Sequence, residues 1–246
     1  MSQIRYEMSI EQYDKIPGYT FAYWISTTMI DGFKHKGLDN YFNSRIGLVT
    51  GDVDRFLKYW YEVGDNKINF TKIYDKKIKW YPYQKGGAYR KWYGNNEYVV
   101  NWQNDGYEMM QNNSAPNGRV KSHNYNGEFA FKRGITWTKI TTGEFSARLV
   151  EDGFMFDDAG CMGFTEEDKI HSILSFLNSV VGRSYLKFFK GEDMNCLPGH
   201  LGKMPFSSEL FDIAEVKQYS SECIHVSQED WDSFETSWDF KKHPLI

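Results

Sequence analysis

The chain is poor in cysteine and has no long apolar run. Its three cysteines, Cys161, Cys196 and Cys223, are odd in number and widely spaced, which argues against a disulfide framework and a zinc site. No apolar stretch approaches the roughly 18 residues of a membrane-spanning helix. Residues 1–13 are polar and lack the apolar core of a signal peptide. These absences predict a cytoplasmic protein with free thiols.

Signatures of catalysis are also missing. The sequence has no Cys-x-x-Cys pair, no phosphate-binding Walker loop, no Gly-x-Gly-x-x-Gly turn and no Gly-x-Ser-x-Gly elbow. The histidines are scattered, and no two have the i, i+4 spacing of a zinc protease. They are His35, His123, His171, His200, His225 and His243. The sequence therefore predicts no catalytic residue, metal site or cofactor site in this chain.

The net charge of −4 conceals a strong asymmetry along the chain. Residues 1–66 carry a net charge of −2, and residues 67–139 carry +8, from 13 basic and 5 acidic side chains. Residues 140–246 carry −10. Because binding to a polyanion depends on local clustering of basic residues, the middle third predicts nucleic-acid binding. The acidic last third either limits unspecific binding or is an ordinary solvated surface.

The residue pattern predicts an α+β fold, with a β-rich lobe followed by a helical portion. Stretches with β-branched and aromatic residues are predicted strands, at 95–102, 128–140 and 144–150. Apolar residues at helical spacing predict helices at 20–35, 55–60 and 165–189, and a last helix that begins at Ser227. We therefore expect three parts: a helical lead-in at 1–40, a β-rich recognition lobe at 41–164 and a helical portion at 165–246.

The segment KWYPYQKGGAYRKWYGNN, residues 79–96, alternates cations with aromatic rings. Cations neutralise phosphates, and a rigid aromatic frame fixes where those cations lie. Gly86 and Gly87 allow the backbone to approach a phosphate, and an asparagine amide can pair with adenine. The predicted contacts are Lys79, Lys85, Arg90, Lys91, Asn95 and Asn96. The alternative is that the rings form the core of a β lobe and the lysines are ordinary surface.

A second segment, RGITWTKITTGEFSAR at residues 133–148, adds three cations and several hydroxyls. Cations and hydroxyls are the usual partners of phosphates. The predicted contacts in this segment are Arg133, Lys139 and Arg148. The alternative is a strand with its threonines on the solvated face. Together the two segments predict a surface that binds double-stranded DNA and performs no chemistry of its own.

Several stretches, taken in order, resemble consecutive blocks of one protein family. They are IGLVTGDVDRFLKYW, KWYPYQKGGAYRKWYGNNEYVVNWQNDG, RGITWTKITTGEFSARL, FDDAGC and SQEDWDSFETSWDF. The family is the large adenine-specific DNA methyltransferases of the BREX phage-defence systems, of the PglX type. More distantly, the blocks resemble the specificity domains of Type II restriction–modification enzymes with fused methyltransferases. The resemblance runs from about residue 20 to the C-terminus.

The resemblance implies the target-recognition part that follows the catalytic domain of such an enzyme. The family's catalytic module bears an Asn-Pro-Pro-Tyr motif that holds the flipped adenine, whereas the six prolines here include no Pro-Pro pair. The full-length family enzymes use S-adenosylmethionine, and this chain has no glycine-rich loop for it. We therefore expect a gene fragment, a split subunit or a piece of a frameshifted gene that grips double-stranded DNA.

A hypothesis of a different class comes from the C-terminal region. Trp231, Phe234 and Trp238 are spaced by three and four residues and would share one face of a helix. Exposed clusters of Trp and Phe often dock on other proteins. The partner would be a separate methyltransferase domain or another defence subunit. The alternative is a helix that packs on its own lobe.

Overall fold

The computed structural model describes residues 14, 16, 25–112, 119–191, 193–243 and 245. Within them the fold is α+β, as predicted. The strands, in chain order, are β1 (Asn43–Arg45), β2 (Leu48–Val49), β3 (Leu57–Tyr59), β4 (Trp80–Gln84), β5 (Tyr98–Asn101), β6 (His123–Asn124), β7 (Gly134–Trp137), β8 (Ala147–Val150), β9 (Met155–Phe156) and β10 (Met162–Phe164). Helices dominate from Ile170 onward.

The strands form three small sheets in this part of the chain. The first sheet has the order β1-β10-β7-β8 and is antiparallel throughout. The second has the order β3-β5-β4-β9, in which only the β4–β9 pair is parallel. The third is the short antiparallel pair β2-β6. The predicted strands at 95–102, 128–140 and 144–150 are therefore present, as β5, β7 and β8.

The helices, in chain order, are α1 (Thr27–Gly32), α2 (Val53–Phe56), α3 (Gln103–Met110), α4 (Ile170–Asn178), α5 (Val180–Lys190), α6 (Pro198–Gly202) and α7 (Ala214–Asp232). None of those described is both long and apolar enough to cross a bilayer. The predicted helix over 20–35 corresponds to α1, and its residues before Ile25 lie outside the described residues. The sequence NNSAPNG also predicts a surface loop at 112–118, and residues 113–118 of this loop lie outside the described residues as well.

Three helix predictions were wrong in their extent. The helix expected over 165–189 begins only at Ile170 and is two helices, because Ser179 is extended and its Oγ accepts a hydrogen bond from Gly182 N. The helix expected after Ser227 already begins at Ala214, so Ser227 lies within it. The helix expected over 55–60 ends at Phe56, where the chain enters β3 and pairs with β5.

The main core lies between the first sheet and the helices that follow it. Alternate residues of β7 and β8 point towards α4, and these include Ile135, Trp137 and Leu149. They pack in one cluster with Ile173 and Leu177 of α4. The β-rich lobe and the helical portion thus share a core, and the three-part division of the chain stays a prediction.

Candidate functional site

The β4–β5 loop (residues 85–97) holds most of the predicted aromatic and basic segment. Several of its residues adopt positive φ angles, namely Gly86, Gly87, Trp92, Gly94 and Asn95. The loop is fastened to strand β8, because Trp92 N donates to Ala147 O at 2.9 Å and Leu149 N donates to Trp92 O at 2.8 Å. These backbone hydrogen bonds hold the irregular loop in one conformation.

Arg148 lies beneath this loop and has no exposed surface. Its Nη1 donates to Arg90 O at 3.2 Å, whereas Nε and Nη2 have no hydrogen-bond partner. Burial, and then the charge of Arg90, lower the pKa of Arg148 to about 10. The structure therefore places this predicted contact inside the protein, where its hydrogen bond supports the loop and no phosphate can reach it.

The two asparagines predicted to read adenine are also buried. Asn95 Nδ2 donates to Ala88 O at 2.9 Å, within the same loop. Asn96 Oδ1 accepts from Gln84 Nε2 at 2.6 Å. Both amides are therefore engaged inside the protein, and neither presents the free donor and acceptor pair that pairing with a base requires.

Lys85 and Lys139 come from the two predicted segments, and the fold brings them together beside Asp157 and Asp158. Lys85 Nζ lies 3.6 Å from Asp157 Oδ2, and Lys139 Nζ lies 2.8 Å from Asp158 Oδ2. The hydroxyl of Tyr83 donates to Asp157 at 2.7 Å. Burial raises the pKa of Tyr83 well above its ordinary value, so this hydroxyl stays protonated. The positive charges are thus matched within the cluster.

Arg90 and Lys91 point towards the helical portion of the chain. Arg90 Nη1 lies 2.7 Å from Asp230 Oδ2, and its guanidinium lies over the ring of Trp231 at 5.1 Å. Lys91 Nζ donates to Asn178 O at 2.9 Å. Burial lowers the pKa of Lys91. Both side chains connect the β4–β5 loop to the helices.

Arg133 and Lys79 complete the predicted set. Arg133 forms ion pairs with Glu151 and Glu167. Lys79 is 44% exposed and lies 3.9 Å from Glu108, at the edge of ion-pair distance. In four of the nine predicted residues a carboxylate from residues 140–246 matches the charge: Lys85, Arg90, Arg133 and Lys139. Among the predicted cations that form an ion pair, Lys79 has the most exposed side chain.

The lysine segment (residues 67–79) carries more accessible positive charge than the predicted contact residues do. Of this segment, the sequence prediction included only Lys79. Its lysines are Lys67, Lys72, Lys76, Lys77 and Lys79, and the first four are exposed. Among the described residues, no ion pair involves Lys67, Lys76 or Lys77. Five lysines within thirteen residues could have indicated a basic surface from the sequence. The prediction instead chose the next segment, where cations alternate with aromatic rings.

Helix α3 fixes the backbone of this lysine segment. Asn104 N donates to Lys76 O at 2.7 Å, and Trp102 N donates to Lys79 O at 2.9 Å. Gln103 Nε2 adds a bond to Lys77 O at 3.0 Å. The first turn of α3 is left-handed, with positive φ at Asn104, Asp105 and Gly106. The lysines therefore extend from an anchored backbone, which reduces the entropy that a ligand must remove on binding.

The C-terminal rings proposed for protein docking are largely covered. Trp231 is buried and lies against Gly94 and Arg90. Trp238 packs against Phe70 and Phe154, with ring centroids 5.1 and 5.8 Å away. Of the three rings only Phe234 is exposed. Helix α7 ends at Asp232, so of the three rings only Trp231 is helical, and the predicted shared helical face is wrong. The C-terminal segment packs on its own lobe, which was the alternative interpretation.

Two adenine-specific methyltransferases are similar in sequence to this chain. No family model matches it. The adenine-specific methyltransferase PglX of Lacticaseibacillus casei (strain Zhang) is 36% identical over 98% of the chain, and the adenine-specific methyltransferase BrxX of Escherichia coli O9:H4 (strain HS) is 34% identical over 95%. The chain covers 20% and 18% of these relatives, about a fifth of their length. The predicted resemblance to PglX-type proteins is confirmed for one region of them.

Proposed function

We propose that this chain is the DNA-recognition part of a BREX-type adenine-specific DNA methyltransferase, and that it binds duplex DNA without transferring the methyl group itself. Two observations support the proposal. Adenine-specific methyltransferases match the chain along nearly its whole length. The β-rich lobe also presents a run of exposed lysines on an anchored backbone.

The exposed lysine segment carries the proposal, because phosphate binding needs cations that are free to approach the duplex. Each lysine that neutralises a phosphate releases condensed counterions, which supplies affinity without reading sequence. Lys76 and Lys77 have no ion pair among the described residues and are the proposed central contacts. Lys79 lies next to them, and Lys67 and Lys72 extend the same segment.

The other cations that the sequence predicted as DNA contacts are proposed as secondary contacts. Four of them would have to leave or share a carboxylate before they bind a phosphate: Lys85, Arg90, Arg133 and Lys139. Lys91 would have to leave or share a backbone carbonyl. Asn95, Asn96 and Arg148 are left out because they are buried. For these three we propose a scaffold role, in which they hold the shape of the β4–β5 loop.

Charge neutralisation of Lys76 and Lys77 tests the proposed contact. Binding of the chain to a fluorescent duplex of about 30 base pairs would be followed by anisotropy between low and moderate salt. The Lys76→Gln/Lys77→Gln variant should bind roughly tenfold more weakly, and the slope of log affinity against log salt should fall by about 1.8, since two phosphate contacts are lost. The matched control is Lys241→Gln/Lys242→Gln, another adjacent and exposed pair.

Two results would overturn the proposal for this segment. One is an affinity that does not change with salt. The other is an equal loss of affinity in both lysine-pair variants, which would point to bulk charge instead of a defined contact. Incubation of the chain with duplex DNA and labelled S-adenosylmethionine tests the second half of the proposal, since incorporation of label would mean that the chain transfers methyl groups after all.

A further inference from the structure

A cavity of about 560 Å³ lies between the β-rich lobe and the C-terminal segment (residues 224–239). Its volume is in the range of small-molecule sites, and such sites are common where two structural units meet. Aromatic rings from both sides line it: Trp60, Phe70, Tyr93, Phe154 and Trp238. None of the residues proposed to contact DNA, apart from Lys72, lines this cavity.

The C-terminal segment is held in place as one wall of the cavity. Trp60 Nε1 donates to Thr236 O at 2.9 Å, which fastens the backbone just before Trp238. The ring of Trp238 then packs on Phe70 and Phe154. The wall is therefore built by contacts far apart in sequence, which hold its aromatic rings in place.

Charge determines which ligand the cavity suits. Four carboxylates line it, against one cation, Lys72. Glu151 already pairs with Lys72 at 3.4 Å. Asp65, Asp152 and Asp239 have no ion pair among the described residues, although Asp152 accepts from Arg133 N at 2.9 Å. Burial, and then the nearby Asp232, raise the pKa of Asp239 and outweigh the opposite effects of Trp238 and Lys241.

We propose that this cavity binds a small organic cation with several ammonium groups, of the polyamine class. Aromatic faces attract ammonium groups through their quadrupole, and carboxylates accept their charge-assisted hydrogen bonds. Three carboxylates at separate positions around one cavity suit a cation with more than one charge. The same carboxylates repel phosphate, which disfavours a nucleotide or the DNA backbone. The inference is independent of the proposed DNA binding.

Calorimetric titration of the full chain with spermidine tests the proposal. We expect saturable binding of one spermidine per chain, with a change in tryptophan fluorescence from Trp60 and Trp238. Asp239→Asn should weaken binding roughly fivefold, as should Asp65→Asn, because each removes one ion pair. The matched control is Asp212→Asn, an exposed carboxylate outside the cavity, which should bind spermidine like the original chain.

Four outcomes would overturn the proposal. Heat that does not saturate, or an equal loss of affinity in the Asp212→Asn control, would mean that spermidine coats the acidic surface. Tighter binding of adenosine or adenosine monophosphate than of spermidine would assign the cavity to a nucleobase ligand. Unchanged affinity in both Asp239→Asn and Asp65→Asn, with thermal unfolding confirming that the variants fold, would place any spermidine site elsewhere.

Discussion

The lysine segment and the β4–β5 loop are two basic stretches of the same lobe, separated only by strand β4, but their charges point to different surroundings. In the lysine segment, Lys76 and Lys77 extend into solvent without an ion pair. In the β4–β5 loop, Lys85 and Arg90 each meet a carboxylate from the last hundred residues. Similar composition therefore leaves exposed cations in one stretch and internal ion pairs in the other.

The difference arises from what covers each stretch. The β4–β5 loop lies against β8 on one side and against α7 on the other, where Trp231 packs on Gly94. In the lysine segment, the backbone carbonyls of Lys76, Lys77 and Lys79 accept hydrogen bonds from residues 102–104, whereas the side chains of Lys76 and Lys77 stay exposed. A cation in the first setting contributes to the fold, whereas a cation in the second is available to a ligand. Changes in the loop should therefore reduce stability, and changes in the lysine segment should reduce DNA binding.

The largest effect should come from removing the cover of the loop. Trp231→Ala deletes a buried ring that contacts Gly94 and Arg90, and it should lower the free energy of unfolding by about 3–5 kcal/mol. Urea unfolding followed by circular dichroism measures the loss. The control is Phe234→Ala, three residues on, whose ring is 47% exposed and whose loss should change stability by less than about 1 kcal/mol. Equal losses in the two variants would contradict the comparison.

A smaller effect is expected from a single methyl group within the loop. Gly94 has a φ of +114°, and a Cβ there would lie 2.5 Å from Arg90 Cδ and 3.0 Å from the Trp231 ring. Gly94→Ala should therefore lower the free energy of unfolding by about 2 kcal/mol. In Gly143→Ala the nearest atom would be 3.7 Å away, and its stability should stay within about 0.5 kcal/mol of the original chain. A Gly94→Ala variant as stable as this control would show that the loop is not rigid.

The smallest effect is expected from the ion pair at the loop surface. Asp230 is largely exposed, so Asp230→Asn should cost at most about 1 kcal/mol of stability. The substitution also releases Arg90 from its ion pair, and the affinity for DNA should therefore rise slightly. Fluorescence anisotropy measures this affinity. Lys76→Gln/Lys77→Gln should show the opposite pattern, with unchanged stability and weakened binding. A loss of stability in that lysine variant would remove the distinction between the two stretches.

Much of the fold could be predicted from local sequence. Val99 and Val100 indicated β5, and the apolar spacing around Ile173 and Leu177 indicated a helix. Helix boundaries were less predictable. Ser179 ends one helix and caps the next, although the apolar pattern continues through it. The short helix α2 gives way to β3 because pairing with β5 outweighs the helical preference of the sequence.

The sequence by itself determined the α+β class, the basic middle third and the resemblance to PglX-type methyltransferases, because composition, local periodicity and matching blocks all lie along the chain. Only the tertiary structure decided which cations are free. Arg90 and Asp230 are 140 residues apart, and Arg148 is covered by a loop that begins more than fifty residues before it. Whether a cation faces solvent or a carboxylate depends on such distant neighbours, since Coulombic attraction acts through space and not along the sequence.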